Sequence, residues 1–162
     1  MKEQARIRAF TNEDYDQVLA LWRESGLTIK ISDTLPEITK LLALPSSVFL
    51  VAEAETGELP SRIAGTVIGA WDGRRAWIYH LAVRPAARRG GSGSRLMRAV
   101  EEALRGQGAT KINLLVESGN DQAEEFYRAL GYSNQPLQFF SLTDQPDIRA
   151  RLLATGFTEE FR

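Results

Sequence analysis

Between Leu81 and Met97 an apolar run, Leu81-Ala82-Val83, passes through Arg84-Pro85-Ala86-Ala87-Arg88-Arg89 into Gly90-Gly91-Ser92-Gly93-Ser94, and then into Arg95-Leu96-Met97. This order reads as strand, glycine-rich turn and amphipathic helix. Glycines let backbone N–H groups approach an anion closely, and the unpaired N–H groups of a helix start add partial positive charge beside them. Arg88 and Arg89 add full charges. The same glycines would also serve as a plain connection between two packed elements, so the segment by itself leaves both readings open. No G-x-x-x-x-G-K-[ST] run is present, nor a clean G-x-G-x-x-G followed by an acidic ribose-binding residue, so the expected ligand is neither ATP nor NAD.

The rest of the chain supplies a sheet and helices around this turn. Arg6 to Phe10 alternates as a first strand, and Thr11 is placed to cap a helix through about Glu24, with Asp14 completing a capping box. Asp33 or Thr34 can cap a second helix, with Pro36 in its first turn and Ile38, Leu41 and Leu42 on one face. Ser47 to Ala54 and Arg62 to Trp71 read as strands joined by a polar loop, Glu55 to Ser61. Asp72-Gly73 signals a hairpin into a strand from Arg75 to Val83, whose alternation sets Trp77, Tyr79, Leu81 and Val83 against Ile78, His80 and Ala82. A helix from about Gly91 to Gly106 then leads to a strand at Lys111 to Val116, which makes a β-α-β crossover. Asp121 to Leu130 reads as a helix ended by Gly131, and Tyr132 with Leu137 to Leu142 as a last strand broken by Asn134-Gln135-Pro136.

At 162 residues one domain spanning the whole chain is expected, with residues 143–162 as a tail for which a dimer contact and a lid over the acceptor cleft both fit. A hydrophobic content of 43%, a charged content of 25% and a net charge of −1 show no basic excess, so no nucleic-acid partner is expected. No cysteine and a single histidine leave no disulfide framework, no thiol nucleophile and no histidine-rich metal site. The chemistry is expected to run without metal. No apolar run approaches the ~18 residues of a membrane span, and the opening Met1 to Arg6 lacks an apolar core, so a cytoplasmic protein with no membrane partner is expected.

A second block decides between the two readings of the turn. It runs Asn120-x-x-Ala123-x-x-x-Tyr127-x-x-x-Gly131-Tyr132, and it follows Arg88-x-x-Gly91-x-Gly93 in the chain. Together with the opening Ile7-Arg8-Ala9-Phe10-Thr11-x-x-Asp14, these patterns resemble the GNAT (Gcn5-related N-acetyltransferase) family over roughly residues 5 to 142. Within it the chain is most similar to small bacterial enzymes near the ribosomal-protein alanine acetyltransferases and their YpeA-type relatives. The resemblance implies a mixed α/β fold, a central and mostly antiparallel sheet flanked by helices, and acetyl-CoA as acyl donor. It also implies that Arg88, Arg89, Gly90, Gly91, Ser92, Gly93 and Ser94 surround the diphosphate. The backbone of Leu81, Ala82 and Val83 would pair with the pantetheine arm as an added strand would, and Asn120 would bind pantetheine or cap its helix. Gly90 stands where the family usually has a basic residue and Ser92 where it often has an apolar one; neither removes a backbone donor.

Acetyl transfer to a primary amine needs an uncharged nucleophile, a polarised carbonyl and a proton for the departing sulfur. An α-amine of pKa ~8 is partly neutral at physiological pH, whereas a lysine of pKa ~10.4 is hardly so. The resemblance implies that Tyr127 is the general acid and that a backbone N–H, that of Val83, polarises the carbonyl. The ribosomal enzymes carry a glutamate where this chain has Leu115, so their base is missing here. His80 and Glu117 stand as the candidates for that role, and positioning alone could also suffice. Acceptor choice, between a protein N-terminus and a small amine, is expected to lie around Trp22 to Leu42. A non-catalytic acyl-CoA-binding module, or transfer of a longer acyl group, are the alternatives. A homodimer is compatible with the sequence.

Overall fold

The computed structural model describes residues 5–54 and 62–142. The polar loop and the C-terminal tail expected from the sequence lie outside the described residues. The chain divides into two compact units whose described parts, 5–114 and 115–142, are each taken by themselves.

The first unit holds β1 (Arg6–Ala9), α1 (Tyr15–Glu24), α2 (Leu35–Leu42), β2 (Ser47–Glu53), β3 (Ile63–Trp71), β4 (Ala76–Val83), α3 (Ser92–Gly106) and β5 (Ile112–Leu114). The five strands lie in sequence order; β1 to β4 pair antiparallel, and β5 joins β4 in parallel after the α3 crossover. The mixed, mostly antiparallel sheet flanked by helices expected from the sequence is therefore present.

Local chemistry sets the helix starts. The Asp14 carboxylate accepts the Thr11 N–H at 2.8 Å and two Arg8 guanidinium N–H groups at 2.7 and 2.8 Å. These bonds tighten Asn12–Asp14 into a single 3-10 turn, so the α-helix begins at Tyr15, later than the capping-box spacing suggests. Thr34 precedes α2, while Asp33 closes a separate 3-10 turn, Ile31–Asp33, by accepting the Lys30 N–H.

The two faces of the sheet are packed differently. On the α1 and α2 face Phe49 stacks on Phe10 at 4.3 Å and on the buried Trp22 at 6.0 Å. On the other face, Gly65 and Gly69 let α3 lie close: a methyl on Gly69 would come within 2.6 Å of Val100 Cγ2, and one on Gly65 within 2.9 Å of Leu96 Cδ1. Leu96, Met97, Val100 and Leu104 are fully buried. Among the described residues no helix is long and apolar enough to cross a membrane.

The second unit holds α4 (Asp121–Ala129), closed by Gly131 in the left-handed region. The expected last strand does not form among the described residues, for 132–142 make no ladder. Pro136 offers no N–H, and Leu137, Phe139, Phe140 and Leu142 are exposed instead of packed on one side of a sheet.

Two measurements test this packing. Gly69→Ala should lower unfolding stability by about 1–3 kcal/mol in urea titrations, because β-branched Val100 cannot swing aside, and the added loss should shrink in a Val100→Ala background. The hydrogen bonds from Arg8 hold the Asp14 carboxyl below its ordinary range, so its stabilisation is complete above about pH 4 and is lost as the pH falls through the lowered value. Acid titration of Asp14→Asn should therefore show a shallower loss of stability below pH ~4 than the parent chain, and an equal slope would contradict the pairing.

Candidate active site

β4 carries the site because its ladder is broken twice. Ile68 pairs with Tyr79 and Thr66 with Ala82, so His80 and Leu81 together oppose Val67 alone. This is a β-bulge, with His80 in the left-handed region at φ 48°. It overturns the simple alternation expected from the sequence: Ala82 shares the Tyr79 face and Val83 the Ile78 face, where Val83 Cγ2 lies over Gly65. On the other edge, pairing with β5 ends at Ile78 and Leu114, so the stretch from Tyr79 to Val83 has no β5 partner. Backbone groups on that side of the strand are without a β5 ladder partner.

The bulge is held by side chains from both neighbours. Thr66 Oγ1 donates to the His80 carbonyl at 3.0 Å and accepts the Trp22 indole N–H at 2.9 Å. His80 Nε2 lies 2.7 Å from Asp33 Oδ1, and its ring meets Trp22 edge-on at 4.6 Å. The Tyr15 hydroxyl donates to the Asp33 carbonyl at 3.1 Å, and burial pushes this phenol up to about 12, so it stays a donor. Asp33, read from the sequence as a cap within the acceptor-selecting region, is thus the partner of the one histidine. No spacing rule links residues so far apart.

Beyond β4 the chain makes a 3-10 turn at Pro85–Ala87, then Arg89 at φ 63° and Gly91 at φ 79° lead into α3. Gly91 needs this conformation, which costs other residues about 1–2 kcal/mol. The first-turn N–H groups of Ser92, Gly93 and Ser94 have no partner within α3 by helix geometry, and with Gly90 and Gly91 they lie where the sequence reading expects an anion cradle. Arg88 is turned to β4: its Nε donates to the Val83 carbonyl at 3.1 Å. Sequence reading also missed Arg84, which is buried and holds Glu24 through Nη1 at 2.6 and 2.5 Å, tying the end of β4 to the end of α1. An Arg between an apolar strand and a proline was its only signal.

In the second unit Asn120 Oδ1 accepts the Ala123 N–H at 3.1 Å, which is the capping role of the two open to it. Glu117 is exposed in the turn before it, and Leu115 is exposed as well. Tyr127 meets Phe126 edge-on at 5.2 Å and Tyr132 at 5.9 Å. Burial pushes its phenol up to about 12.

An open cleft of about 640 Å³ lies at the hairpin end of the first unit, lined by Leu44, Ser47, Ala70, Trp77 and Tyr79 among others. It lies on the α1 and α2 side of the sheet, away from the cradle, and was not foreseen because its wall joins the end of α2 to the β3–β4 hairpin.

Comparison with solved structures agrees with this architecture. Glucosamine-6-phosphate N-acetyltransferase from Arabidopsis thaliana is 20% identical with a TM-score of 0.69, over 88% of this chain and 100% of that one. The aminoglycoside 6'-N-acetyltransferase AAC(6')-IG from Acinetobacter haemolyticus is 18% identical with a TM-score of 0.69, over 86% and 99%. AAC(6')-Iy, in complex with a CoA-containing bisubstrate analogue, is 14% identical with a TM-score of 0.70, over 86% and 98%. At these identities the likeness concerns the fold. Residues 8–132 match the family described as Acetyltransferase (GNAT) family, which is most of the chain. With the bulged β4 and the glycine turn ahead of α3 already in place, the chain belongs to the GNAT acetyltransferase family.

Proposed function

We propose that the protein transfers the acetyl group of acetyl-CoA to a primary amine, by direct attack within a ternary complex. The observation that carries this reading is the sequence of three features along one strand exit: a bulge at His80–Leu81, a β4 edge free of β5, and Gly91 opening the first turn of α3. Together they offer a ladder for pantetheine amides and N–H groups for a diphosphate. Val83 would give its carbonyl to the cofactor once Arg88 turns toward phosphate, and Arg89 adds charge at the same turn. The family match across 8–132 supports a single catalytic domain.

In the reaction a neutral amine attacks the thioester carbon, the C–N bond forms, and the C–S electron pair leaves on sulfur. The amine proton is lost and sulfur gains one, so CoA–SH and the amide result. Tyr127, at the family's acid position, is the donor to that sulfur. Burial pushes its phenol up to about 12, above a thiol of ordinary pKa ~8.5, so complete proton transfer to the thiolate is uphill. Its contribution is a hydrogen bond to developing negative charge, which burial strengthens. His80 and Glu117 are the candidate bases; His80 is held in place by Asp33, whereas Glu117 is exposed. The acceptor is a protein N-terminus or a small amine; the Trp77 and Tyr79 cleft would contact it. The cytoplasm, where acetyl-CoA is available, is the proposed compartment.

Calorimetry with CoA tests the cradle. Gly91→Val should weaken binding by about tenfold or more, since a β-branched residue resists φ 79° and shifts the donors. Tyr127→Phe should reduce kcat at least about tenfold with acetyl-CoA affinity little changed, measured as thiol release with a panel of amines. Tight CoA binding with no release from any amine would instead indicate a binding module.

A further inference from the structure

We propose that Asp33 is a positioning residue that fixes the His80 imidazole as its Nε2–H tautomer, so that Nδ1 takes the proton from the attacking amine. This rests on the acetyl-transfer reading above. The orientation of the Asp33 carboxylate is determined by the backbone: Oδ2 accepts the Lys30 N–H at 2.7 Å, and Oδ1 faces His80 Nε2 at 2.7 Å. Asp33 is buried, and the Tyr15 hydroxyl holds its carbonyl. An ionised carboxylate only accepts hydrogen bonds, so Nε2 carries the hydrogen and, in the neutral ring, Nδ1 the lone pair. Among the described residues nothing hydrogen-bonds Nδ1.

The imidazole is also confined. Its ring abuts Trp22, and its backbone sits at φ 48°, a conformation that surrounding bonds must enforce in a non-glycine residue. The bulge thus places this histidine on the stretch of β4 that has no β5 partner. His80 follows Tyr79, one of the residues lining the open cleft, and its ring contacts Trp22 of α1 on the α1 and α2 side of the sheet. As the amine nitrogen bonds to the acetyl carbon, its proton passes to Nδ1. The imidazolium formed is paired with Asp33 and gives the proton to solvent; the thiolate takes one up in turn.

The single histidine makes this directly observable, because ¹⁵N-histidine labelling gives ring signals from His80 alone. In the neutral ring the Nε2–H form is expected. In Asp33→Asn the amide oxygen must stay on the Lys30 N–H, so its NH₂ points at Nε2 and forces the proton to Nδ1. That variant should show the inverted tautomer and a kcat reduced at least about tenfold, with CoA affinity kept within about twofold. Assays use acetyl-CoA with an alanyl peptide, glucosamine 6-phosphate and neamine. His80→Asn, which tolerates the left-handed backbone, should lose kcat similarly. An Nδ1–H tautomer in the parent chain, or an inverted tautomer with unchanged kcat, would overturn the proposal. If Asp33→Asn does not fold, the parent spectrum and His80→Asn still decide it. Absence of CoA binding, or of transfer to all three amines by the parent chain, would instead overturn the acetyl-transfer reading.

Discussion

Thr66 sits between two buried demands: it accepts the indole N–H of Trp22 and donates to the carbonyl of His80. The shape of β4 at its functional end depends on this hydroxyl. The His80 carbonyl, displaced from the regular ladder by the bulge, takes this hydroxyl as its donor. A bulge costs ladder bonds and a strained φ, and it persists only because Trp22, Thr66 and Asp33 all favour it. The same three residues anchor α1 and the 3-10 turn before α2, so the helices and the bulge specify one another.

Electrostatics in this chain are local. A net charge of −1 offers no broad field to attract an anionic cofactor. In the proposed binding mode the attraction would come from the direction of backbone dipoles at the start of α3, together with Arg88 and Arg89 on the approach. The buried Arg84, by contrast, is committed to Glu24 and to the Ile63 carbonyl, and it holds the strand end steady while the turn beyond it stays open to ligand. Cations within six residues of one another thus serve different ends, Arg84 buried in the fold and Arg88 and Arg89 exposed at its surface.

Much of this was legible in the residues. The hairpin at Asp72-Gly73, the crossover helix ended by Gly106 and the glycine turn follow from local chemistry, and the structure has them. The bulge was not legible, because alternation in Trp77 to Val83 is intact as a pattern and is broken only by a hydroxyl from the neighbouring strand. The His80–Asp33 pair was hidden for the same reason: it joins a strand to a turn between two helices. The last strand was read from apolar residues at Leu137 to Leu142, yet a strand needs a partner as well as a pattern, and these residues have none among those described. Local rules hold where the cause is local, and they fail where one element shapes another.

Backbone amide spectra recorded as CoA is added would examine the proposed binding mode at its source. The largest shifts should fall on Leu81, Val83, Gly91, Ser92, Gly93 and Ser94, the N–H groups of the free β4 edge and the first turn of α3. Saturating CoA that leaves those amides unmoved, or moves another surface instead, would contradict it.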